Sequence, residues 1–369
     1  MAYLNNPPKG WLPPFCPNGN CKYHHPLPDQ WRYKKFGSYV RISDNRRIRR
    51  FRCLHCKRTF STQTFSATYW QKLPELEAKV FSKIVNGMCK RQIARDLEVD
   101  PATINHKTKR LGRHCLLFLQ RQLEGTPPAK NIIFDGLETF EFSQYYPFHH
   151  NVAVEKDTDF VLFFNDSELR RKGRMTQVQK RRRRELEKMF GRPDPRAIEK
   201  AVTEMLSEVI NGHDPINVYT DDHTQYRQPI RVYQNLIFHH VTPGKAHRDA
   251  NNSLWEINLF DLFMRHSSKN HTRETIAWSK RRQASSEQLA IYSVWRNYIN
   301  IRRQKDRWSP TPAMERGMMT ERLTIADVLS GRIFVRHVEL ADSWRDYYYG
   351  NVHTRALPLE RRHRLAYAE

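Results

Sequence analysis

Two apolar runs in this chain end in carboxylates: "NIIFD", residues 131–135, and "INVYTDD", residues 216–222. Runs rich in β-branched and aromatic residues suit buried strands. A charge at the tip of a buried strand constrains the fold more than any other feature here. Turn chemistry is one account, since aspartate favours turns and caps. The order of the surrounding segments supplies another. After "NIIFDGLETFEF" come two more strand-like runs, "HNVAVEK" and "DFVLFF". A long basic helical segment over about 166–212 follows, then "INVYTDD" and a further strand, "NLIFHHV". From about 252 to 304 the pattern is helical again.

Three successive strands, a helical insertion, a fourth strand tipped with aspartate and then helices is the order of an RNase H-like core. That fold sets one acid on its first strand, one just after its fourth and a third on a later helix packed across the sheet. Three carboxylates gathered this way hold two Mg²⁺ ions about 3.5–4 Å apart, one activating the attacking oxygen and one stabilising the leaving oxygen. Asp135 and Asp221 fill the first two places. Asp221 is preferred because it comes first off the strand, which leaves Asp222 to serve the turn. For the third place, Glu256 lies 35 positions after Asp221 and Glu274 lies in "NHTRETIAWSKRRQ". On helical spacing Glu274 shares a face with Trp278 and Arg281, with Lys280 and Arg282 beside it. A carboxylate followed by cations suits a site that also grips DNA phosphates. Glu256 shares its face with Leu259, Phe260 and Phe263, which is a core pattern. Glu274 is therefore the expected third acid, with His271 bordering it.

Charge sets the class of partner. The 369 residues carry a formal net charge of +24, and the sequence pI is about 9.9. An excess of that size points to a polyanion. A membrane surface fits less well, because no apolar run approaches a spanning length and mean hydropathy is −0.78. The opening "MAYLNNPPKGWLPPF" lacks the pattern of a secretion signal. In a reducing compartment the six cysteines read as thiols or metal ligands. Cys16 and Cys21 form a C-x4-C knuckle, and Cys53 and Cys56 a C-x2-C knuckle. Two such pairs are the pattern of a structural zinc site, here a zinc ribbon over residues 1–65. His24, His25 and His55 stand nearby, but four thiolates suffice. Cys89 and Cys115 fall in the helical region that follows and read as core residues.

Residues 74–123 fit a helix-turn-helix. "KRQIARDL" turns Ile93, Ala94 and Leu97 inward, "EVD" makes a tight turn, and Asp100 and Pro101 suit the cap and first position of the next helix. In that helix Ile104, Leu111, Cys115 and Phe118 share a face. Thr103, Asn105, His106, Lys109, Arg110 and Arg113 lie largely outside it. A recognition helix reads bases near its N-terminal end, which singles out Thr103, Asn105 and His106. A plain helical bundle with a solvated basic face is the other reading. "EGTPPAKN" reads as a linker into a domain over 130–304. Within its insertion Lys180, Arg181, Arg182, Arg183 and Arg184 run consecutively and encircle the helix. Counterion release would make them a strong, sequence-independent DNA contact. A solvated surface helix, or a nuclear localisation signal in a eukaryotic host, are the other readings. Residues 305–369 form an extension with no role legible in the sequence.

Taken together, "CPNGNC", "CLHC", "KRQIARDLEVDPATI", "IIFDG", "YTDDHTQY" and "NHTRETIAWSKRR" resemble bacterial insertion-sequence transposases of the DDE type. The resemblance covers most of residues 15–305. In that family the second aspartate often sits five residues before a tyrosine, which selects Asp221, five before Tyr226. The family glutamate usually precedes a basic run, which supports Glu274. The resemblance implies an α/β multidomain DNA transposase of the bacterial cytoplasm and nucleoid, with an N-terminal zinc ribbon, a helix-turn-helix domain and an RNase H-like mixed-sheet catalytic domain. Its partners would be double-stranded DNA at the element ends and the target. Carrying two ends to one target implies a homo-oligomer, most simply a dimer. The implied cofactors are two catalytic Mg²⁺ ions and one structural Zn²⁺. The alternative is a non-catalytic DNA-binding regulator or an inactivated transposase. What separates the two is whether Asp135, Asp221 and Glu274 converge.

Overall fold

Backbone pairing sorts the strands into two sheets. The computed structural model describes residues 10–25, 30–42, 44–210, 212, 214–272 and 275–359. The first sheet is antiparallel, in the order β1 (Tyr33–Arg41), β2 (Arg46–Cys53), β3 (Thr59–Ser61). It has its own small core, in which Cys16, Cys21, Phe51, Cys53 and Phe60 are buried. Three helices follow: α1 (Leu76–Val85), α2 (Lys90–Asp96) and α3 (Pro101–Leu123). The Asp100 carboxylate accepts the Ala102 N–H at 2.7 Å and Pro101 opens α3, the chemistry of a helix start. Ile93 and Ile104 are completely buried where α2 meets α3.

The second sheet has five strands: β4 (Asn131–Phe140), β5 (Pro147–Glu155), β6 (Phe160–Glu168), β7 (Ile216–Asp221) and β8 (Ile237–Thr242). Their spatial order is β6-β5-β4-β7-β8. β4, β5 and β6 form an antiparallel meander, while β7 and β8 run parallel to β4. The segment between β6 and β7, expected as one helical stretch, starts as the end of β6 and then forms two helices. These are α4 (Gln177–Phe190) and α5 (Ala197–Val209). "GRPDP" separates them: Gly191 adopts φ 84° and two prolines follow, which ends a helix. A short α6 (Arg227–Val232) links β7 to β8, and α7 (Trp255–Ser267) and α8 (Arg282–Val294) come after β8.

Helices cover both faces. α5 buries Ile198, Val202, Met205 and Leu206, and the Asn165 side chain on β6 donates to the Ala201 carbonyl at 2.7 Å. The next residue, Asp166, faces the other way. Its cross-strand partner His150 meets Ser285 Oγ on α8 at 2.8 Å. Past α8 the chain makes a π-helical turn, Trp295–Ile299. There the Asn297 side chain makes two 2.9 Å hydrogen bonds to the Val161 backbone and covers part of the β6 edge.

α8 is buried along its length although Ser285, Ser286, Glu287 and Ser293 lie on it. It packs along α3, and the two backbones come close at Gly112. A Cβ at Gly112 would lie 2.7 Å from the Glu287 Cβ and 2.8 Å from its carbonyl oxygen. The C-terminal extension adds α9 (Pro312–Glu315), α10 (Ile325–Val328) and α11 (Asp342–Tyr349). Trp344 on α11 is fully buried, stacks on Phe163 at 5.0 Å and donates its indole N–H to the Phe164 carbonyl at 2.7 Å. Just before α11 the chain clasps the small sheet's module. Phe334 packs on Phe15, Arg336 donates to the Gly19 carbonyl at 2.7 Å, and His337 Nε2 lies 2.9 Å from the His24 carbonyl. Among the described residues no helix is long and apolar enough to cross a membrane.

Alanine raises helix propensity over glycine by about 1 kcal/mol. At Gly112 the overpacking against Glu287 outweighs that gain, since forcing atoms into a filled core costs about 1–3 kcal/mol. Gly112→Ala is expected to lower the thermal unfolding midpoint; a midpoint equal to or above the parent's would contradict the close crossing.

Candidate active site

The site begins with strand register. β4 and β7 pair in parallel with Asn131 opposite Asn217, Ile132 opposite Val218 and Ile133 opposite Tyr219. The same offset carried two residues on sets Asp135 level with Asp221. Side chains alternate along a strand, so Asp135 and Asp221 project from the same face. The next residue, Gly136, points the other way, and a Cβ there would lie 2.6 Å from His149 Nδ1. A glycine in this strand lets the β5 imidazole lie across it.

Asp135 Oδ1 accepts its neighbour Gly136's N–H at 2.7 Å. Burial, and next to it the field of Asp221, push the Asp135 carboxyl up to about 6, against the pull of the Gly136 N–H and the cations Arg248 and Arg265. Asp221 Oδ1 accepts the His223 N–H at 3.0 Å. Asp222 is exposed and turns to the loop after β8, where it accepts the Gly244 N–H at 3.1 Å. Tyr226 is 2% exposed and meets Phe134 edge-on at 5.0 Å. Its phenol is raised by burial and by the fields of Asp135, Asp221 and Asp261.

Asp261 is a carboxylate that the sequence reading passed over. It lies on α7, 3.8 Å from Arg265, and α7 packs over β4 and β5. Its place on the first full helix after β8 was the available signal. Glu256, at the start of the same helix, pairs instead with Lys156 at 2.8 Å. Glu274 lies outside the described residues. Residues 275–281 form turns and α8 begins only at Arg282, so Trp278 and Arg281 do not share a helical face as expected. Arg282, expected to face DNA, is turned inward. It pairs with Asp166 at 3.1 Å, and its backbone N–H donates to Glu141 at 2.9 Å.

The cations expected to meet DNA divide in the same way. A cleft of about 880 Å³ is lined by Lys90, Arg91, Asn105, Lys109, Lys280 and Arg281, among others. It brings the start of α3 and the 280–281 pair to one place. His106 is exposed and Thr103 half-buried. Arg110 and Arg113 do not lie on a solvent face. Arg110 donates to the Tyr69 carbonyl at 2.6 Å, and Arg113 is 6% exposed, with Tyr348's ring 5.7 Å away. On α4 none of the residues is buried. Glu187 gathers Arg170, Arg183 and Arg192, while Arg181 and Arg182 share Glu185. Lys180 and Arg184 meet no carboxylate within ion-pair range among the described residues.

Cys16, Cys21, Cys53 and Cys56 place their sulfurs within 4.8 Å of one another, the one such metal-ligating group among the described residues. Cys16 and Cys56 Sγ lie 3.6 Å apart, close to the edge of about 3.8 Å of a tetrahedron with Zn–S bonds of about 2.3 Å. Burial alone would raise the Cys53 thiol. The Trp31 indole N–H, 3.3 Å away, and the backbone N–H groups of Cys56 and His55 outweigh it and bring Cys53 to about 7. The donor set therefore fits zinc, and this group could hold one ion. His24 is not part of it; its Nδ1 bonds the Cys16 carbonyl at 2.9 Å. Cys115 is buried in the main core, and Cys89 stands at the N-cap of α2.

Neither a protein-family model nor a curated protein matches the chain. Among the solved structures that match it, two resemble it weakly. A chain of the simian T-cell lymphotropic virus intasome in complex with PP2A regulatory subunit B56 gamma aligns at 14% identity and a TM-score of 0.26, over 54% of this chain and 58% of that one. The catalytic domain of Mos1 mariner transposase aligns at 10% identity and a TM-score of 0.21, over 51% of this chain and 87% of that one. Scores that low carry no weight for function; the sheet and its aspartates have to carry it.

The raised Asp135 carboxyl makes a stability prediction. Its value rises from 3.8 unfolded to about 6 folded, so the fold favours the neutral form. The stability this confers is complete below about pH 4 and lost as pH climbs through 6. Asp135→Asn removes the loss. In EDTA the variant is expected to be more stable than the parent above pH 6, by at most about 3 kcal/mol, and to match it near pH 4. A variant less stable than the parent at pH 7.5 would contradict the half-buried pair.

Proposed function

We propose that this chain is a metal-dependent polynucleotidyl transferase of the transposase kind, built on an RNase H-like core. One observation carries the reading: the β4–β7 register that brings Asp135 and Asp221 side by side. The sheet order and the mixed strand directions agree with it. Two neighbouring carboxylates are a hard oxygen donor set that suits Mg²⁺, which when bound would activate the attacking oxygen and stabilise the leaving one. The raised Asp135 carboxyl supports the same reading, since a cation between two like charges relieves what burial and repulsion cost.

The chain's own residues divide the labour. Asp135 and Asp221 hold the metal. The third acid is Glu274, as the family resemblance implies, with Asp261 as the second claimant because it shares the field around Tyr226. Asn105, Lys109, Lys280 and Arg281 grip DNA in their shared cleft, and Thr103 and His106 meet base edges. Lys180 to Arg184 on α4 supply affinity without sequence preference. The ribbon, closed by one zinc, and the helix-turn-helix find the element's terminal repeats. Water hydrolyses a strand at each end, and the 3′-hydroxyl set free attacks target DNA. Two chains carry the two ends.

The test is nicking of supercoiled plasmid DNA in Mg²⁺, with duplex binding measured alongside. Asp135→Asn and Asp221→Asn are expected to lose cleavage by more than about 100-fold, the upper end of what losing an outer-shell metal partner costs, while binding holds. Glu256→Gln is expected to cleave like the parent. Comparing Glu274→Gln with Asp261→Asn identifies the third acid. Cleavage that survives in both aspartate variants would leave a DNA-binding regulator as the reading.

A further inference from the structure

The zinc-ligating module carries a second feature that the acids do not explain. A cleft of about 510 Å³ opens between the β1–β2 hairpin and the segment after β3. Its lining includes Tyr39, Arg41, Arg50, Arg58, Trp70 and Gln71. Arg41 is part of the scaffold: it is tied to Asp44 and donates to Gln63 at 2.5 Å. Arg50 and Arg58 are different. Among the described residues neither guanidinium meets a carboxylate or gives a hydrogen bond. Arg50 is held in place by the Phe36 ring, 5.2 Å from its guanidinium, and Arg58 is exposed.

Trp70 stands at the same cleft. It is 62% exposed and sits in the left-handed backbone region at φ 59°. That conformation is costly for a bulky residue, and strain of this kind collects where a partner is gripped. A largely exposed indole thus stands beside two cations that meet no carboxylate among the described residues.

The geometry points to this cleft as a DNA-backbone site, in which Arg50 and Arg58 grip phosphates of a duplex and Trp70 lies against the sugar and base edge beside them. Guanidinium forks match phosphate oxygens in pairs. Charge decides the occupant: the hairpin strands hold eight Lys and Arg residues, Lys34, Lys35, Arg41, Arg46, Arg47, Arg49, Arg50 and Arg52, and no acid. The apolar Phe36, Tyr39 and Val40 are exposed among them, as in β-ribbons that enter a DNA groove. The inference rests on the DNA reading of the chain and adds a contact that neither the helix-turn-helix nor the α4 cations supply.

The experiment uses the full-length protein and a labelled 40-base-pair duplex of arbitrary sequence, titrated over a salt series. In Arg50→Gln/Arg58→Gln the slope of log affinity against log salt is expected to flatten by roughly 1.8, two phosphate contacts at about 0.9 each. Arg58→Gln alone, at an exposed position, should give about half of that. Trp70→Ala is expected to weaken binding with the slope unchanged, since an indole releases no counterion. Zinc content reports that the module stays folded; if the double variant loses zinc, Arg58→Gln decides. An unchanged slope in Arg58→Gln overturns the proposal. So does a loss confined to single-stranded DNA or poly-glutamate, which would give the cleft to another partner. If these variants bind like the parent while Asp135→Asn stops cleavage, the cleft fails and the enzyme stands. A parent with no duplex affinity would sink the DNA reading itself.

Discussion

The pairing of β4 with β7 is the interaction on which the rest depends. Both strands are central, and their parallel register sets Asp135 level with Asp221. A slip of one residue would send Asp221 to the opposite face and bury it against α5's side of the sheet. The buried residues of the two strands, Ile132, Ile133, Phe134 and Val218, fix the register by hydrophobic burial. The consequence is electrostatic. Two carboxylates sit together under partial burial, and burial with the field of Asp221 pushes the Asp135 carboxyl up to about 6. In a chain of net charge +24, the cations whose fields reach Asp135 are Arg248 and Arg265, and they do not offset its burial and the field of Asp221.

The scaffold around that pair is stitched by contacts between distant segments. α3 and α8 cross closely at Gly112 and Glu287, which ties the helical module to the sheet. A buried ion pair, Glu77 with Lys107 at 3.0 Å, fixes α1 against α3; losing one partner would leave a buried charge unmatched. The C-terminal extension contributes Trp344 to the sheet's core and Phe334, Arg336 and His337 to the small sheet's module. It is therefore a strap that sets the orientation of the cysteine module on the body.

Much of this was legible in the sequence, and the failures have a common cause. The cysteine spacing identified four sulfurs that do converge. Asp100 and Pro101 marked a helix start through purely local chemistry. The apolar runs marked five strands. What the sequence hid were pairings across long separations. Arg110 and Arg113 read as a basic face because Tyr69 and Tyr348 cannot be seen from α3. Arg282 read as a DNA contact because Asp166 lies far away in the chain. α8 carries Ser285, Ser286, Glu287 and Ser293 and is nonetheless buried, and one of its partners, His150, lies far away in the chain. Counting a helical face from Glu274 failed because residues 275–281 turn instead of coiling. Asp261 was missed because what brings it toward the sheet is the packing of α7 over β4 and β5, which leaves no local mark in the sequence.

The central claim is that Asp135 and Asp221 together hold a catalytic divalent ion. Anomalous diffraction from crystals soaked in Mn²⁺ tests it most directly. The account predicts a peak bridging the Asp135 and Asp221 carboxylates, lost in Asp221→Asn crystals, and the residue completing its shell would identify the third acid. Crystals that bind Mn²⁺ elsewhere, with the two carboxylates metal-free at pH 7.5, would contradict it.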